Sequence, residues 1–348
     1  MSLSAKQSFA LRAVSLFATL MVVARHGQNL HLYYRGGSPF MTVTDYNIFI
    51  QEMISRITDC AIPCFFTISG FLFFIGVDKI QDFFKKWKRR IRSLVIPYLL
   101  WNLLLLSAVL LGYAMIPGLR KQLSLTYEVE FHWKWFVEIF TTKPIVGQFW
   151  YIRTLIIFCI LSPLPWFIYR YSLLSFITLG ALIFYWVPID CRILSSEGMA
   201  CFFLGGLIWH RQWHKYAVYG KRGWIFPPSV LAIIGVEMLC NTSRWIWILR
   251  IFLSMASMVQ IALFCGELNR VQIVVNRMSH YSFFIYAAHY MLLGILTIPL
   301  SRVLNHSPAM SLSAYLICVV MATTISLFAA IFVDKFFPKL YSVLTGGR

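Results

Sequence analysis

About ten times along its 348 residues the chain runs through an apolar stretch that approaches or reaches the length needed to cross a bilayer as a helix. These stretches lie at roughly 10–26, 59–77, 94–115, 148–168, 172–188, 196–209, 225–240, 246–266, 282–300 and 311–333. A hydrocarbon core of about 30 Å needs roughly 20 mostly apolar helical residues, and backbone facing lipid must satisfy its own hydrogen bonds. Segments such as Leu103 to Leu111 are apolar on every side, which excludes the alternating strands of a membrane barrel. With 59% hydrophobic and 13% charged residues, a soluble globular domain is excluded as well. The expected fold is therefore all-α: a polytopic integral membrane helical bundle forming a single domain over 1–348.

Lysine and arginine concentrate in two connections. Lys79, Lys85, Lys86, Lys88, Arg89, Arg90 and Arg92 fall between the second and third stretches, and Arg211, Lys215, Lys221 and Arg222 follow the sixth. Positive loops stay cytoplasmic, so both belong inside, and an even number of spans then puts both termini there too. The segments 27–58 and 116–147 read as outer loops. Their aromatic and charged residues, including Tyr33, Tyr34, Asp45, Trp133 and Trp135, are placed to cover a site. The formal charge of +18 follows largely from this sidedness, and no nucleic-acid-binding module is visible. Lys6 before an apolar run resembles a signal peptide, yet no small-x-small cleavage site precedes Arg25-His26, so the segment reads as a retained span.

The eight cysteines form no CxxC pair and no Cys/His cluster with zinc spacing, so no metal is expected. Cys60 and Cys64 share a helix face, for which packing is the simpler reading; Cys191 and Cys240 fall near the outer side, where a disulfide is open.

Ionisable groups inside a bilayer are costly and mark functional sites by default. Arg12 and His26 are fourteen residues apart on the first helix. At about 100° and 1.5 Å per residue they lie ~40° from one face and ~21 Å apart along the axis. Arg25, ~100° from His26, is expected to snorkel to the outer interface. A neutral imidazole can take a proton from a hydroxyl while its oxygen attacks an acyl carbonyl; the structural reading is a helix end bonded to a neighbouring helix. In the second stretch Ser69 and Gly70 permit close backbone approach. The Lys88–Arg92 run either sets topology, attracts anionic lipid, or holds a phosphate-rich ligand. Arg153, near Trp150, either orients a carbonyl or sugar or makes a cation–π or ionic contact, and Glu197 is a candidate partner for such an arginine. Arg250 and His289 are further buried candidates, an interhelical hydrogen bond being the simpler role for His289. Trp101 and Asn102 read as packing residues.

The order of these pieces resembles the acyltransferase type 3 family, integral membrane O-acyltransferases of bacterial surface glycans. Leu11-Arg12 with His26, Pro63-Cys64-Phe65-Phe66-Thr67-Ile68-Ser69-Gly70, and Arg89-Arg90-Ile91-Arg92 leading to Pro97-Tyr98 are similar to that family's early motifs. QFWYIRTLIIFCILSP (148–163), FFLGGLIW (202–209) and SFFIYAAHYMLL (282–293) resemble later ones, and the likeness runs from about residue 10 to the C-terminal tail. In the first helix the family places ten residues between its cation and its histidine; here thirteen separate Arg12 from His26, and Ser15 stands at the usual position.

The resemblance implies transfer of an acetyl group from acetyl-CoA to a glycan or lipid-linked sugar, in the bacterial cytoplasmic (inner) membrane. His26 and Arg12 would be catalytic, Lys88, Arg89, Arg90 and Arg92 would bind the cytoplasmic donor's phosphates, and Arg153, Trp150, Ser69, Glu197 and His289 would shape the site. A transporter or flippase of a glycan or lipid-linked sugar is the main rival, although no paired halves with Gly/Pro-interrupted helices are visible. A structural subunit of an envelope assembly would leave His26 and the Arg89/Arg92 pair without a shared purpose.

Overall fold

A computed structural model of the chain describes residues 3–27, 45–120, 131–186, 194–213, 221–240, 242–304 and 308–347. Among these the regular structure is helical throughout. Among the described residues helix covers most of each of the ten apolar stretches, and five helices are long and apolar enough to cross a membrane: Ala5–Gly27, Ile48–Phe74, Asp82–Met115, Arg244–Cys265 and Leu312–Phe336. A sixth arises if Gly147–Leu161 and Pro163–Tyr169, bent by 57°, form one span. The bend falls at Pro163, which lacks the N–H that would continue the helical ladder.

The chain divides into two compact units. The first, Met1–Ile75 with Leu204–Ile331, is built on α1 (Ala5–Gly27), α2 (Asp45–Thr58) and α3 (Ala61–Phe74). Helix α1 is buried along its length through Phe9, Ala13, Val14, Ala18, Val22 and Val23, whose small members let neighbouring helices come close. Val23 packs in a core with Ile285, Leu293, Cys318 and Ala322. The later helices of the unit are the C-terminal part of α10 (Ser196–His210), then α11 (Phe226–Leu239), α12 (Arg244–Cys265), α13 (Asn269–Leu304) and most of α14 (Pro308–Phe336). On the far side of α14, Val320 and Phe328 are 62% and 66% exposed, an apolar face of the kind lipid covers.

Helix α2 departs from the expected outer loop at 27–58. Its polar residues suggested a solvated connection, but Arg56 pairs with Glu237 and Asp59, just past the helix end, pairs with Arg25, and the helix joins α3 through a single turn to make the Ile48–Phe74 span. The partners come from distant sequence, so the pairing was invisible locally. Tyr33 and Tyr34 lie outside the described residues, as does Cys191 of the possible disulfide. Cys60 and Cys64 both place their sulfurs against Met258 Sδ, at 3.4 and 3.5 Å, which is packing. Gly205 on α10 meets α3 so closely that a Cβ there would stand 2.0 Å from the Thr67 carbonyl oxygen. A side chain would force the helices apart.

The second unit comprises Gly76–Phe203 and Phe332–Arg348. It contains α4 (Asp82–Arg90), one π turn over Ile91–Val95, α5 (Ile96–Met115), α6 (Trp133–Thr141), α7 (Trp150–Leu161), α8 (Pro163–Tyr169), α9 (Ser172–Phe184) and the tail helix α15 (Pro338–Thr345). Within the π turn Ile96 N–H donates to Ile91 O, one residue beyond α register, directly before Pro97, which has no N–H to give. Trp101 Nε1 donates to Leu344 O at 3.1 Å and ties the tail to α5. That tail ends in a Schellman-type cap: Gly346 has φ +72°, Gly347 N–H donates to Ser342 O, and a Cβ on Gly346 would strike the Ser93 backbone. Buried Asn102 accepts from Val146 N–H and donates to Tyr98 O, fastening the segment that leads to α7. Trp101 and Asn102 thus both make hydrogen bonds that tie elements of the second unit together.

Candidate active site

Helix α1 runs parallel to α13. Arg12 Nε donates to Asn276 Oδ1 at 3.2 Å, and fourteen residues further on His26 meets His289 and Tyr290. Thirteen or fourteen residues separate the contacts on α13 as well, so one face of α1 carries both groups along one neighbour. The periodicity of the first helix placed Arg12 and His26 on a shared face, and α13 is what that face meets.

At the far end of α1 the His26 ring lies 5.3 Å from the His289 ring, tilted by 42°, and 5.3 Å from the Tyr290 ring, edge to face. His289 is fully buried at 0% exposure. Its Nδ1 stands 2.7 Å from Tyr286 O and 3.3 Å from Ile285 O. Carbonyl oxygens only accept, so Nδ1 carries the proton and Nε2 a lone pair. Tyr315 OH donates to Ala24 O at 3.1 Å and holds the last turn of α1 from the α14 side.

Beside His26 begins a chain of ion pairs. Arg25 Nη1 donates to Asp59 Oδ1 and to Ser55 O, both at 2.7 Å. Asp59 Oδ2 takes Arg250 Nη2 at 2.9 Å and Trp247 Nε1 at 3.3 Å. Arg250 Nε donates to Glu237 Oε2 at 2.8 Å, the same oxygen takes Arg56 Nη1 at 3.0 Å, and Arg56 reaches Glu52 at 3.2 Å. Arg250 also donates to Arg56 O. Three arginines (25, 56, 250) meet three carboxylates (52, 59, 237), so the chain is formally neutral. The Arg250 and Glu237 side chains are each 1% exposed, a depth at which charge persists only when paired. The network binds α1, α2, α11 and α12 around the turn that carries His26. Arg25, which the sequence suggested would snorkel to the interface, pairs with Asp59, thirty-four residues on, while its side chain stays 41% exposed.

Asp59, Glu237 and Arg56 were missed from sequence. Glu237 carried a readable signal, an acid inside the apolar run Ile233-Ile234-Gly235-Val236-Glu237-Met238. Asp59 and Arg56, at the edge of an apolar stretch, carried none.

At the opposite end of the first unit a cavity of about 600 Å³ opens between α1, α3, α10 and α12. Lys6 and Gln7 stand in its wall with Leu11, Val14 and Phe71, and Thr67 contributes a hydroxyl whose Oγ1 is buried without a partner. Ser69 is half-buried on α3 one turn face away, and Arg12 is exposed.

The other sequence candidates belong to the second unit. Lys88, Arg89 and Arg92 are exposed along the end of α4 and the π turn, with Arg90 half-buried among them. Four cations within five residues form a donor set suited to phosphate oxygens. Arg153 is buried and gives its guanidinium to the carbonyls of Thr141 and Thr142, closing the C-terminus of α6. Trp150 opens α7 and Glu197 lies in the first turn of α10, both half-buried.

A helical membrane bundle holding a histidine pair, His289 buried and His26 half-buried, beside a neutral ion-pair chain coincides with a family match. The acyltransferase domain family, the type 3 acyltransferases, matches residues 10–331, and the chain belongs to that family. Among curated proteins it is similar to the succinoglycan biosynthesis protein ExoH of Rhizobium meliloti (strain 1021), at 24% identity over 323 residues, covering 86% of this chain and 82% of the relative. No solved structure gives a significant match.

Proposed function

We propose that the chain is a membrane O-acyltransferase moving an acetyl or other acyl group from a coenzyme A thioester to a hydroxyl of a cell-surface glycan or its lipid-linked precursor. The observation that carries this reading is His26, an imidazole held by ring contacts at the polar end of an otherwise apolar helix, in a chain of an acyltransferase family. A glycan acceptor is favoured because the relative is a succinoglycan biosynthesis protein.

His26, neutral, takes the acceptor hydroxyl's proton as the oxygen attacks the thioester carbonyl. Collapse of the tetrahedral adduct breaks the C–S bond, and the imidazolium returns its proton to the departing thiolate. The products are an O-acyl ester and the free thiol. Lys88, Arg89, Arg90 and Arg92 bind the donor's phosphates, with Arg12 a further cation for the donor. The neutral ion-pair chain and His289 hold His26 in place, and Ser69, Trp150, Arg153 and Glu197 are further candidates for substrate contacts. The bacterial cytoplasmic membrane, with the basic stretch and both termini on the cytoplasmic side, gives the donor access.

Purified protein incubated with labelled acetyl-CoA and an envelope glycan fraction tests the reading. Base-labile label on glycan with wild type, and none with a folded His26→Ala variant, is the expected result. Glycan translocation by both proteins without acyl transfer would establish a transporter instead.

A further inference from the structure

We infer that His289 is a positioning residue that accepts a hydrogen bond from His26 and so fixes which nitrogen of His26 is free to act as base. The inference deepens the reading of His26 as general base and rests on it for its catalytic meaning, but the pairing itself is a property of the protein alone.

The starting observation is a buried atom without a partner. His289 is fully buried, its Nδ1 proton is committed to the Tyr286 and Ile285 carbonyls, and its Nε2 has no hydrogen-bond partner among the described residues. The helix's own backbone therefore holds the ring in the tautomer whose outward nitrogen accepts. An acceptor closed off from water and left unmade is unfavourable, and native interiors seldom leave one.

Among the described residues the His26 ring, which can donate, stands 5.3 Å away between centroids. Imidazoles joined by a direct N–H···N bond of about 3 Å have centroids roughly 5 Å apart. The two rings already stand at that separation, and rotation about the broad terminal torsion of histidine turns nitrogen toward nitrogen without moving either helix. Tyr290 meets His26 edge to face, which limits the ring's other orientations.

Once paired, His26 has one tautomer. The nitrogen facing His289 keeps its hydrogen, and the other presents its lone pair to the acceptor hydroxyl. When His26 takes the substrate proton, its bond to His289 becomes charge-assisted and stronger, while His289 stays neutral throughout. Without His289 the proton of neutral His26 distributes over both nitrogens, and part of the population presents N–H where a base is needed.

Nitrogen NMR of the full chain in detergent micelles or lipid nanodiscs, with ring-labelled histidine, reads this directly. His26 is assigned by the signals that a His26→Gln variant lacks. Wild type is expected to show a single His26 tautomer; His289→Phe is expected to convert it to a mixture, and His289→Gln, whose side-chain oxygen accepts, to restore it. A His26 spectrum identical in wild type and a folded His289→Phe protein would overturn the pairing. Should the Phe variant fail to fold, wild type decides: mixed His26 tautomers overturn the pairing, while a single one with His289 Nε2 shifted as a bonded acceptor supports it. Acyl transfer is not needed for any of these readings, so failure of the enzymatic account and failure of the pairing are separable.

Discussion

Arg25 donates to Asp59 at 2.7 Å, and Asp59 in turn takes Arg250 at 2.9 Å, so the residue next to His26 is fixed through a carboxylate to a second helix. The inner pair, Arg250 with Glu237, is the most deeply placed link. Arg250→Met is expected to cost about 3 kcal/mol because buried Glu237 keeps only Arg56 and Asp59 loses one of its two arginines, whereas adding Glu237→Leu to that background should recover part of the loss. Thermal or denaturant unfolding in one detergent measures both. Equal, additive losses would show that the two side chains act independently.

Close approach of α10 and α3 depends on the absence of a side chain at Gly205. Gly205→Val should therefore destabilise by about 1–3 kcal/mol through helix displacement. Gly235, inside α11 with no atom within 4 Å of an added Cβ, is the control. Gly235→Ala should be neutral or stabilising by about 0.5–1 kcal/mol, as for an unconstrained glycine in a helix. A melting comparison of the two variants checks the contrast.

The exposed cations on α4 and the π turn are assigned to donor phosphates, an interaction made equally in the ground state and the transition state. Arg89→Gln and Arg92→Gln should each raise KM for acetyl-CoA about tenfold, the size of one charge-assisted hydrogen bond, with kcat nearly unchanged. Arg12→Gln should behave in the same sense with a smaller effect, because Arg12 is exposed and already bonded to Asn276. Steady-state kinetics with acetyl-CoA, repeated with a donor analogue lacking the nucleotide, separates these effects. The variants and wild type should converge on the analogue.

Much of this architecture is legible from hydropathy alone because membrane helices satisfy their backbone internally and betray themselves by apolar length. Arg12 and His26 could be placed on a common face of α1 from periodicity, and α13 is what that face meets. What sequence concealed was pairing across distance. Arg56 and Glu52 fell in the expected outer loop and Asp59 at the edge of an apolar stretch, yet they belong with Arg25, Glu237 and Arg250 in one network whose inner pair is buried. Arg153, read from sequence as a candidate for a carbonyl, a sugar or an aromatic or ionic contact, gives its guanidinium to the carbonyls that close α6. The orphaned Nε2 of His289 was out of reach, since it follows from a tautomer that only the contact with Tyr286 O reveals.

The central claim is that His26 moves the acceptor's proton. Its most direct test is the single-turnover rate of acyl transfer from labelled acetyl-CoA to purified acceptor glycan, measured for wild type and His26→Ala at matched folded protein and saturating donor. Loss of a general base predicts a fall of about 10²–10⁴-fold in that rate with donor binding retained. A His26→Ala protein that transfers the acyl group at the wild-type rate would contradict the account.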